Sequence, residues 1–563
     1  MEKSAPSPLS PSRLRQYGIH GLIVLPAIAL LLAFKFIPFL MNVKLAFSKS
    51  SFSVGILNGQ WTGWDNFRTL FETPEFKTAL ANTLILKFGY AAFCGLLAFG
   101  IAILLAGIRS AKWRGALSTI LLIPYFIPSL VIAYVVMTLL SIDHSPLFSI
   151  RSYPLADTFW FRPIIVVAET VRTCGIPIVI ALAAIGAGDE SSSYARRVVV
   201  PAAKAIAAFL ILQLSTALST DFEMLFQLYN PLVYSVGDTL DTYQFRTGMM
   251  MGDINGQAAV SMLQFIVQLA FTLLAYALAK RFFLKDLFPV TPITKEAATA
   301  IPRPRGAGLP NIVVTGLFAL VALLPLYVLF VFPFLSSGES SGTIAIGDMI
   351  SVRSFAVYWP MYIFMSVCGM LVVLTLSYPL TARDLPGRTA YIAFLLLAMT
   401  MGGSGIADYI FVRELGAINT IFSQMIFGYF PIVSAFVLKS IFNSKYGALK
   451  EQASNEGQSE LQLFFSMYIP KVWKPLLALG LLQFVALWNT YIPSLLYLND
   501  PNLYSPVARL LVLIRSSAES GGVQDYQSLL LYAGIVCLPP IVLFLALRKL
   551  FTSEVFLSQI RKL

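Results

Sequence analysis

The sequence predicts an all-α polytopic membrane protein with about twelve transmembrane helices, arranged as two parallel six-helix repeats. The chain of 563 residues is 57% hydrophobic and only 12% charged, whereas charged residues make up about 25% of an ordinary soluble domain. Apolar runs of about twenty residues recur along the chain, and each can cross the roughly 30 Å of hydrocarbon in a bilayer. These two observations exclude a soluble globular protein.

Six apolar runs precede a polar linker and six follow it. The predicted spans are 22–42, 80–106, 117–140, 161–185, 204–221 and 258–282, then 310–335, 359–381, 389–407, 417–438, 475–496 and 528–547. The linker, residues 283–309, is rich in proline and basic residues, so we expect it to be extended. It separates a first half, 22–282, from a second half, 310–563, and residues 1–21 form a polar tail. Because six is even, both halves should insert the same way up.

The distribution of positive charge predicts the orientation. Of the 40 Lys and Arg residues, 26 fall in one alternating set of loops, which includes the tail and the linker. The positive-inside rule places that set, and therefore both termini, in the cytoplasm. The net charge of +12 thus reflects membrane topology, and nucleic acid is not an expected partner.

The sequence offers no catalytic or metal site. The four cysteines lie in apolar runs, and the two histidines stand apart from each other, so no metal-ligand pattern is present. No G-x-x-x-x-G-K-[ST] motif occurs, so the chain lacks the usual device for cradling ATP phosphates. We therefore expect no cofactor in this chain, and no enzyme activity of its own.

A polar segment, Glu451–Pro470, lies between two late apolar runs. Ser459 and Gln462 have the spacing of a capping box, which predicts a short helix starting just after Gly457. An apolar stripe follows at helical spacing, formed by Leu461, Phe464, Phe465 and Tyr468. Such a stripe on a polar loop favours a groove in a partner protein, and the alternative is a plain connector that touches nothing.

The same spacing occurs 269 residues earlier, where Gly188 and Pro201 take the places of Gly457 and Pro470. Both loops, 182–204 and 439–474, resemble the E-A-A-x3-G-x9-I-x-L-P loop of ABC importer permeases. The resemblance implies that each loop docks in a cleft of a separate ATPase subunit, which would hold ATP and Mg. The residues assigned to this coupling are Gly188, Asp189, Tyr194 and Pro201, then Glu451, Ala453, Gly457, Ser459, Leu461, Phe464, Phe465 and Pro470. Leu182 replaces the motif's Glu in the first loop, so we expect the second loop to hold its ATPase more firmly.

Three further stretches, 61–84, 228–243 and 401–420, resemble permeases of the carbohydrate-uptake family. The first is similar to the larger membrane subunit of the maltose importer, the second to permeases for polysaccharide breakdown products, and the third to the smaller sugar-permease subunit. The resemblance implies a fused permease of a binding-protein-dependent oligosaccharide importer, in the bacterial cytoplasmic membrane. Fused permeases for iron, thiamine or polyamines are an alternative, and a proton-coupled secondary transporter is a more remote one.

Candidate solute-path residues follow the second loop. Phe484, Trp488 and Tyr491 share one helical face, and ring faces stack on the C–H faces of sugars. Gln483 and Asn489 lie nearby, and the corresponding first-half positions include the small polar residues Ser215 and Ser219. Aromatic core packing or an interfacial belt is the alternative for the rings.

Several charges in or beside the apolar runs also need an explanation. Glu169 and Arg172 either neutralise each other or leave Arg172 to meet an acidic sugar. Lys35 and Lys87 are expected to extend towards the surface. Four outer-loop carboxylates are expected to help form a docking face for an external binding protein; they are Asp221, Glu223, Asp238 and Asp241.

Overall fold

The computed structural model describes residues 11–50, 58–142, 145–147, 149–186, 193–282, 308–335, 349–382, 385–402, 405–519, 526–551 and 553–556. Helices dominate these ranges. The strand pairing consists of β1 (Ser48–Lys49) and β2 (Gln60–Trp61), which are antiparallel and place Ser48 opposite Trp61. The Phe47 ring stacks on Trp61 beside this pair, so the segment after the first span is anchored by aromatic contacts.

The helices of the first half range in length from 4 to 33 residues. In chain order they are α1 (Pro11–Leu31), α2 (Ile37–Ala46), α3 (Asp65–Glu72), α4 (Pro74–Ala106), α5 (Ala111–Leu122), α6 (Ser129–Leu139), α7 (Thr158–Thr173), α8 (Gly175–Gly186), α9 (Val200–Gln213), α10 (Phe222–Leu228), α11 (Tyr234–Gly237), α12 (Leu240–Gln244) and α13 (Ile254–Phe282).

The second half continues with a similar series. Its helices are α14 (Gly308–Phe330), α15 (Phe332–Leu335), α16 (Val352–Ser377), α17 (Arg388–Thr400), α18 (Ile406–Glu414), α19 (Ile432–Asn455), α20 (Glu460–Leu463), α21 (Ile469–Asn489), α22 (Ile492–Tyr497), α23 (Pro506–Glu519), α24 (Tyr526–Leu547) and α25 (Ser553–Phe556).

The predicted helical membrane fold is confirmed. Within the described ranges, eight helices are long and apolar enough to cross a membrane, and two bent pairs raise the number to ten. The pair α5 and α6 bends by 98°, and the pair α7 and α8 by 50°. Proline explains the first bend, because Pro124 and Pro128 interrupt the helix between α5 and α6.

The bend before α8 depends on a close approach of two backbones. A Cβ added to Gly175 would stand 2.3 Å from the carbonyl oxygen of Leu121, a distance that real Cβ atoms do not reach. Glycine therefore allows α8 to start directly against the end of α5.

Two predicted spans of the second half take a different form. The run 389–407 becomes α17, which is shorter, and the chain then breaks before α18, where Gly405 has a φ of +55°. The run 417–438 begins as irregular turns, with Asn419 at a φ of +59°, and α19 starts only at Ile432 after Pro431. Glycine, Asn and Pro at these positions favour turns over helix.

The two halves exchange their first helices. In the first half, α1 packs against α16 of the second half, and in return α14 packs against α4 and α5 of the first. One large buried apolar core runs through both halves. The halves therefore form a single interlocked bundle.

The structure repeats at the interval found in the sequence. A π-helical turn spans Ala195–Val199, and another spans Phe464–Tyr468, again 269 residues later. Further along, α10 and α22 also occupy equivalent places after the following long helices. The equal spacing thus extends from the sequence motif to the local backbone.

Candidate functional site

The polar segment of the second half is a tight turn between two long helices. α19 ends in a Schellman motif, in which Gln458 N–H donates to the Ala453 carbonyl and Gly457 N–H donates to the Ser454 carbonyl, both at 3.2 Å. Gly457 has a φ of +86°, a left-handed conformation that favours glycine. The glycine of the sequence motif is therefore required by the backbone of this turn.

The predicted helix after the turn is present. The Ser459 hydroxyl accepts a hydrogen bond from the Gln462 N–H at 3.2 Å and caps α20, which starts at Glu460. Through the π-helical turn, α20 runs on into α21, so the segment Glu460–Asn489 is one long helix. The turn thus lies at the N-terminal end of a long continuous helix.

The predicted apolar stripe is divided, which corrects the expectation that it forms one docking face. Leu461 is 44% exposed and Phe465 is 62% exposed, whereas Phe464 and Tyr468 are buried in the core. Helical spacing spreads these residues over roughly 100° of the helix surface, and the helix lies with one edge of that arc against the bundle. Phe464 packs edge-on against Tyr378, so Leu461 and Phe465 are the exposed members of the stripe.

A buried ionic cluster holds the start of α20 in place. The Glu460 carboxylate is 3.2 Å from Lys450 Nζ and 3.3 Å from His20 Nε2. It also accepts a hydrogen bond from Tyr378 Oη at 2.6 Å, and Lys450 Nζ lies 4.2 Å from the centre of the Tyr378 ring. The turn is thereby bonded to α1, to α19 and to Tyr378, the residue that follows α16. The sequence alone does not reveal this cluster, because its members are up to 440 positions apart along the chain.

The remaining coupling residues vary in their exposure. Glu451 and Pro470 are exposed and Ala453 is half-buried. In the first loop, Tyr194 is 45% exposed and Pro201 is half-buried. Gly188 and Asp189 lie outside the described residues.

At the other end of the long helices, the two halves meet through hydrogen bonds to Glu223. The Tyr491 N–H donates to the Glu223 carboxylate at 3.2 Å, and Tyr491 Oη donates to the Glu223 backbone carbonyl at 3.0 Å. The Thr490 hydroxyl also donates to this carboxylate. Burial raises the pKa of Glu223 from 4.5 to about 7, although the bonds from Thr490 and Tyr491 oppose the shift. These bonds join the two halves at this place.

Arg172 pairs with Asp221 and not with Glu169, which corrects the expected pair. Arg172 Nη1 is 3.0 Å from Asp221 Oδ2, and the Ser129 hydroxyl donates to the same oxygen at 2.9 Å. Asp221 also caps α10 through the Met224 N–H. Arg172 and Glu169 share one helix, but the turn before α10 brings a better-placed carboxylate to the arginine.

The outer-loop carboxylates face inward, so they do not form the expected docking face. Asp238 binds Arg246 and the Thr242 hydroxyl, and Asp241 accepts from the Thr220 N–H at 2.8 Å. Lysines also behave differently from the expectation: Lys87 is buried, and Lys35 donates to the Met401 carbonyl at 2.8 Å. Hydrogen bonds within the bundle compensate for the burial of these carboxylates and lysines.

The aromatic residues after the second loop pack into the core. Trp488 is fully buried; its indole N–H donates to the Val536 carbonyl at 3.0 Å, and Phe484 stacks beside it. Because α21 ends at Asn489, Tyr491 leaves the face that it would share with them. Gln483 donates to the Gly428 carbonyl, and Ser215 to the Leu212 carbonyl. The rings of Phe484 and Trp488 therefore pack in the core, which was the alternative interpretation of these aromatic residues.

A polar cavity of about 200 Å³ lies elsewhere, between α2, α13 and the end of α17. Of the predicted solute-path residues, Ser219 lines it. The other lining groups include Ser261, Gln264 and Gln268, which recur at helical spacing on α13. A polar stripe within an apolar run was the sequence signal that could have revealed them.

No protein-family model matches this chain. Protein LplB of Bacillus subtilis (strain 168) is 27% identical over 287 residues, which cover 47% of this chain and 90% of that protein. The polygalacturonan/rhamnogalacturonan transport system permease protein YteP of the same organism is 28% identical over 281 residues, covering 46% of this chain and 87% of that protein. The corresponding permease protein YtcP is 28% identical over 172 residues, or 30% of this chain and 60% of its own length.

Two solved structures are also similar in part. A chain of a bacterial alginate ABC transporter, crystallised with an alginate pentasaccharide-bound periplasmic protein, is 25% identical with a TM-score of 0.42. The match covers 48% of this chain and 96% of that one.

The helical bundle and the curated relatives define a multi-pass membrane permease, and those relatives are transport subunits. The chain is similar over most of their length to LplB and YteP, and YteP is a permease of a polygalacturonan/rhamnogalacturonan transport system.

Proposed function

We propose that this chain is the membrane-spanning subunit of an ATP-driven importer for oligosaccharides released from polysaccharides, acidic ones among them. The observation that carries the substrate class is the similarity to YteP, a polygalacturonan/rhamnogalacturonan permease of which the chain covers 87%. Three sugar-permease stretches in distant parts of the sequence support the same class.

The chain contains two permease halves, residues 22–282 and 310–563, joined by the linker 283–309. The size of the relatives supports this division, because 90% of LplB corresponds to only 47% of this chain. The π-helical turns at equivalent places in both halves support it as well. One chain thus supplies what two permease subunits supply elsewhere.

Separate ATPase subunits drive transport, one at each coupling loop, and they hold the ATP and Mg. In the second loop, the exposed Leu461–Phe465 pair is the contact, and the Gly457 turn presents it. The buried bonds of Glu460 to Lys450 and His20 connect that contact to α19 and α1, so a displacement of the turn is transmitted to both helices. In the first loop, Tyr194 is the exposed ring that takes the equivalent place.

The coupling loops and both termini face the cytoplasm of a bacterial cell, as the positive charge of their loops requires. An external binding protein delivers solute to the opposite side. The Glu223–Tyr491 contact, at the far end of the helices from the Gly457 turn, closes the path between the halves there. Import occurs when ATP and loaded binding protein favour the state in which this contact is open.

Uptake by proteoliposomes tests the proposal. The chain is reconstituted with its ATPase subunits and binding protein, and labelled oligogalacturonides are added outside with ATP inside. We expect accumulation that requires all three components and hydrolysable ATP. Uptake driven by a proton gradient, without an ATPase, would overturn the proposal in favour of a secondary transporter.

A further inference from the structure

The polar cavity is enclosed by both halves. Its walls come from α2 and α13 in the first half, and from Thr400, Met401 and Gly402 in the second. Its volume of about 200 Å³ is several times the roughly 30 Å³ of one water molecule. It is smaller than the roughly 300–1,000 Å³ of a site for a drug-sized ligand. The space therefore suits one small polar molecule and not a chain of several sugars.

The lining has the chemistry of a polyol site. Six amide or hydroxyl side chains from the first half surround the cavity: Asn42, Ser219, Gln244, Ser261, Gln264 and Gln268. Amides and hydroxyls both donate and accept, as sugar hydroxyls do. The rings of Phe39 and Phe265, whose centres are 4.6 Å apart, border the same space and offer apolar surface for C–H groups.

One polar group in the lining is not used by the fold. Asn42 is 2% exposed, and its Oδ1 has no hydrogen-bond partner among the described residues. A buried acceptor without a partner costs free energy, and a ligand hydroxyl would remove that cost. By contrast, the Gln264 amide donates hydrogen bonds to the Leu218 carbonyl and to Asp241. Gln264 therefore holds the cavity wall in place.

The charge of the cavity lining distinguishes neutral sugar rings from acidic ones. Asp241 is the charged residue that lines the cavity, and it is held by Thr220 and Gln264. No lysine or arginine is part of the described lining. Lys35 is held by the Met401 carbonyl at 2.8 Å and is not part of the lining. A uronate carboxylate would therefore meet the Asp241 carboxylate at the cavity wall, which disfavours binding.

We propose that this cavity is a subsite for one neutral sugar ring, distinct from the Glu223–Tyr491 contact. The inference rests on the proposed function, and adds that the permease itself discriminates neutral from acidic rings at this place. The stretch that begins at Met401, which resembles sugar permeases in sequence, would then contribute part of its wall.

Binding of matched glycosides tests the subsite. The full chain with its ATPase subunits is placed in lipid nanodiscs, and equilibrium binding is measured with radiolabelled methyl galactoside, methyl galacturonide, methyl glucoside and methyl glucuronide. Within each pair, only the group at carbon 6 differs. We expect saturable binding of at least one neutral glycoside, and binding at least about tenfold weaker for its acidic partner, because an unmatched buried charge is costly.

Three variants locate that binding. Asn42→Leu removes the amide and should weaken neutral-glycoside binding about tenfold. Gly402→Trp should abolish it, since a Cβ there meets no atom within 4 Å and the ring can enter the mouth of the cavity. Gly100→Trp, at an exposed position with equal space, is the matched control and should bind like the native chain. Melting temperatures establish that each variant is folded.

Three results would overturn the subsite: no saturable binding of either neutral glycoside, equal binding of the acidic partner, or unchanged binding in Gly402→Trp. ATPase co-purification and ATP-driven uptake are measured on the same samples. Normal uptake without glycoside binding refutes the subsite alone, whereas a chain that holds no ATPase refutes the proposed function.

Discussion

The Tyr491 N–H donates to the Glu223 carboxylate at 3.2 Å, which joins two positions 268 residues apart. Each residue lies where a long helix of its own half gives way to a short one, α10 in the first half and α22 in the second. The link is thus made by nearly equivalent parts of the repeat. In the proposed transport cycle, a titratable group thus lies at the contact that separates when solute enters.

Opening of this contact should depend on pH. Burial raises the pKa of Glu223 from 4.5 to about 7, so the closed contact favours the protonated carboxyl. Its contribution to the closed state is fully present below about pH 4.5 and is lost as pH rises through about 7. We expect the rate of uptake to rise several-fold between about pH 6 and pH 8, and Glu223→Gln to remove most of that rise.

Proteoliposome uptake at a series of pH values measures this effect. Glu75→Gln, which changes an exposed carboxyl on α4, is the control and should keep the native profile. Identical profiles for the native chain and Glu223→Gln would mean that this carboxyl does not control opening.

Phe464 and Phe465 should differ sharply in their effect on stability. Phe464 is 6% exposed and packs on Tyr378, so Phe464→Ala should cost about 3 kcal/mol through the cavity that it leaves. Phe465→Ala should leave the midpoint of unfolding almost unchanged. Thermal unfolding in detergent compares the two, and an equal loss of stability would contradict the assignment of Phe465 to the free face.

The buried ionic cluster should show strong coupling between Lys450 and Glu460. Lys450→Met leaves the Glu460 carboxylate with His20 and Tyr378 as its remaining partners, and should cost up to about 3 kcal/mol. The double variant Lys450→Met/Glu460→Leu should recover part of that loss, since no buried charge remains. A double-mutant cycle on the unfolding midpoint measures the coupling, and simple additivity would count against the cluster.

Two glycines near the coupling turn should respond to alanine with opposite signs. Gly457→Ala places a Cβ at a φ of +86° and should cost about 1 kcal/mol through strain. Gly447 lies within α19, and Gly447→Ala should stabilise by up to about 1 kcal/mol because alanine favours helix. Thermal unfolding of the two variants checks the signs, and an unchanged or raised unfolding midpoint in Gly457→Ala would show that the turn does not require glycine.

The sequence predicted the helical membrane class, the spacing of the repeat and the helix that starts after Gly457. These follow from local composition and from short motifs. The division of the stripe between Phe464 and Phe465 could not be predicted, because periodicity places residues on a face but does not say where the neighbouring helix covers that face. The break at Gly405 and the irregular turns at 415–431 were missed because apolar composition outweighed the signals from Gly405 and Asn419.

The pairing of charges was the least predictable feature. Arg172 and Glu169 are neighbours on a helix, yet Arg172 binds Asp221, which a turn brings in from 49 positions away. The Glu460 cluster likewise joins helices from both ends of the chain. Such contacts depend on how the halves interlock, which a single sequence does not specify.

Co-purification with the ATPase tests the central claim, that the exposed Leu461–Phe465 pair docks a separate motor subunit. The tagged chain is co-expressed with the carbohydrate-uptake ATPase of its host and purified in detergent. We expect the native chain to retain the ATPase, and Leu461→Ala/Phe465→Ala to lose most of it while unfolding at the native temperature. Leu415→Ala/Phe422→Ala, which changes an equally exposed pair at another place, should retain it. Full retention of the ATPase by Leu461→Ala/Phe465→Ala would contradict the account.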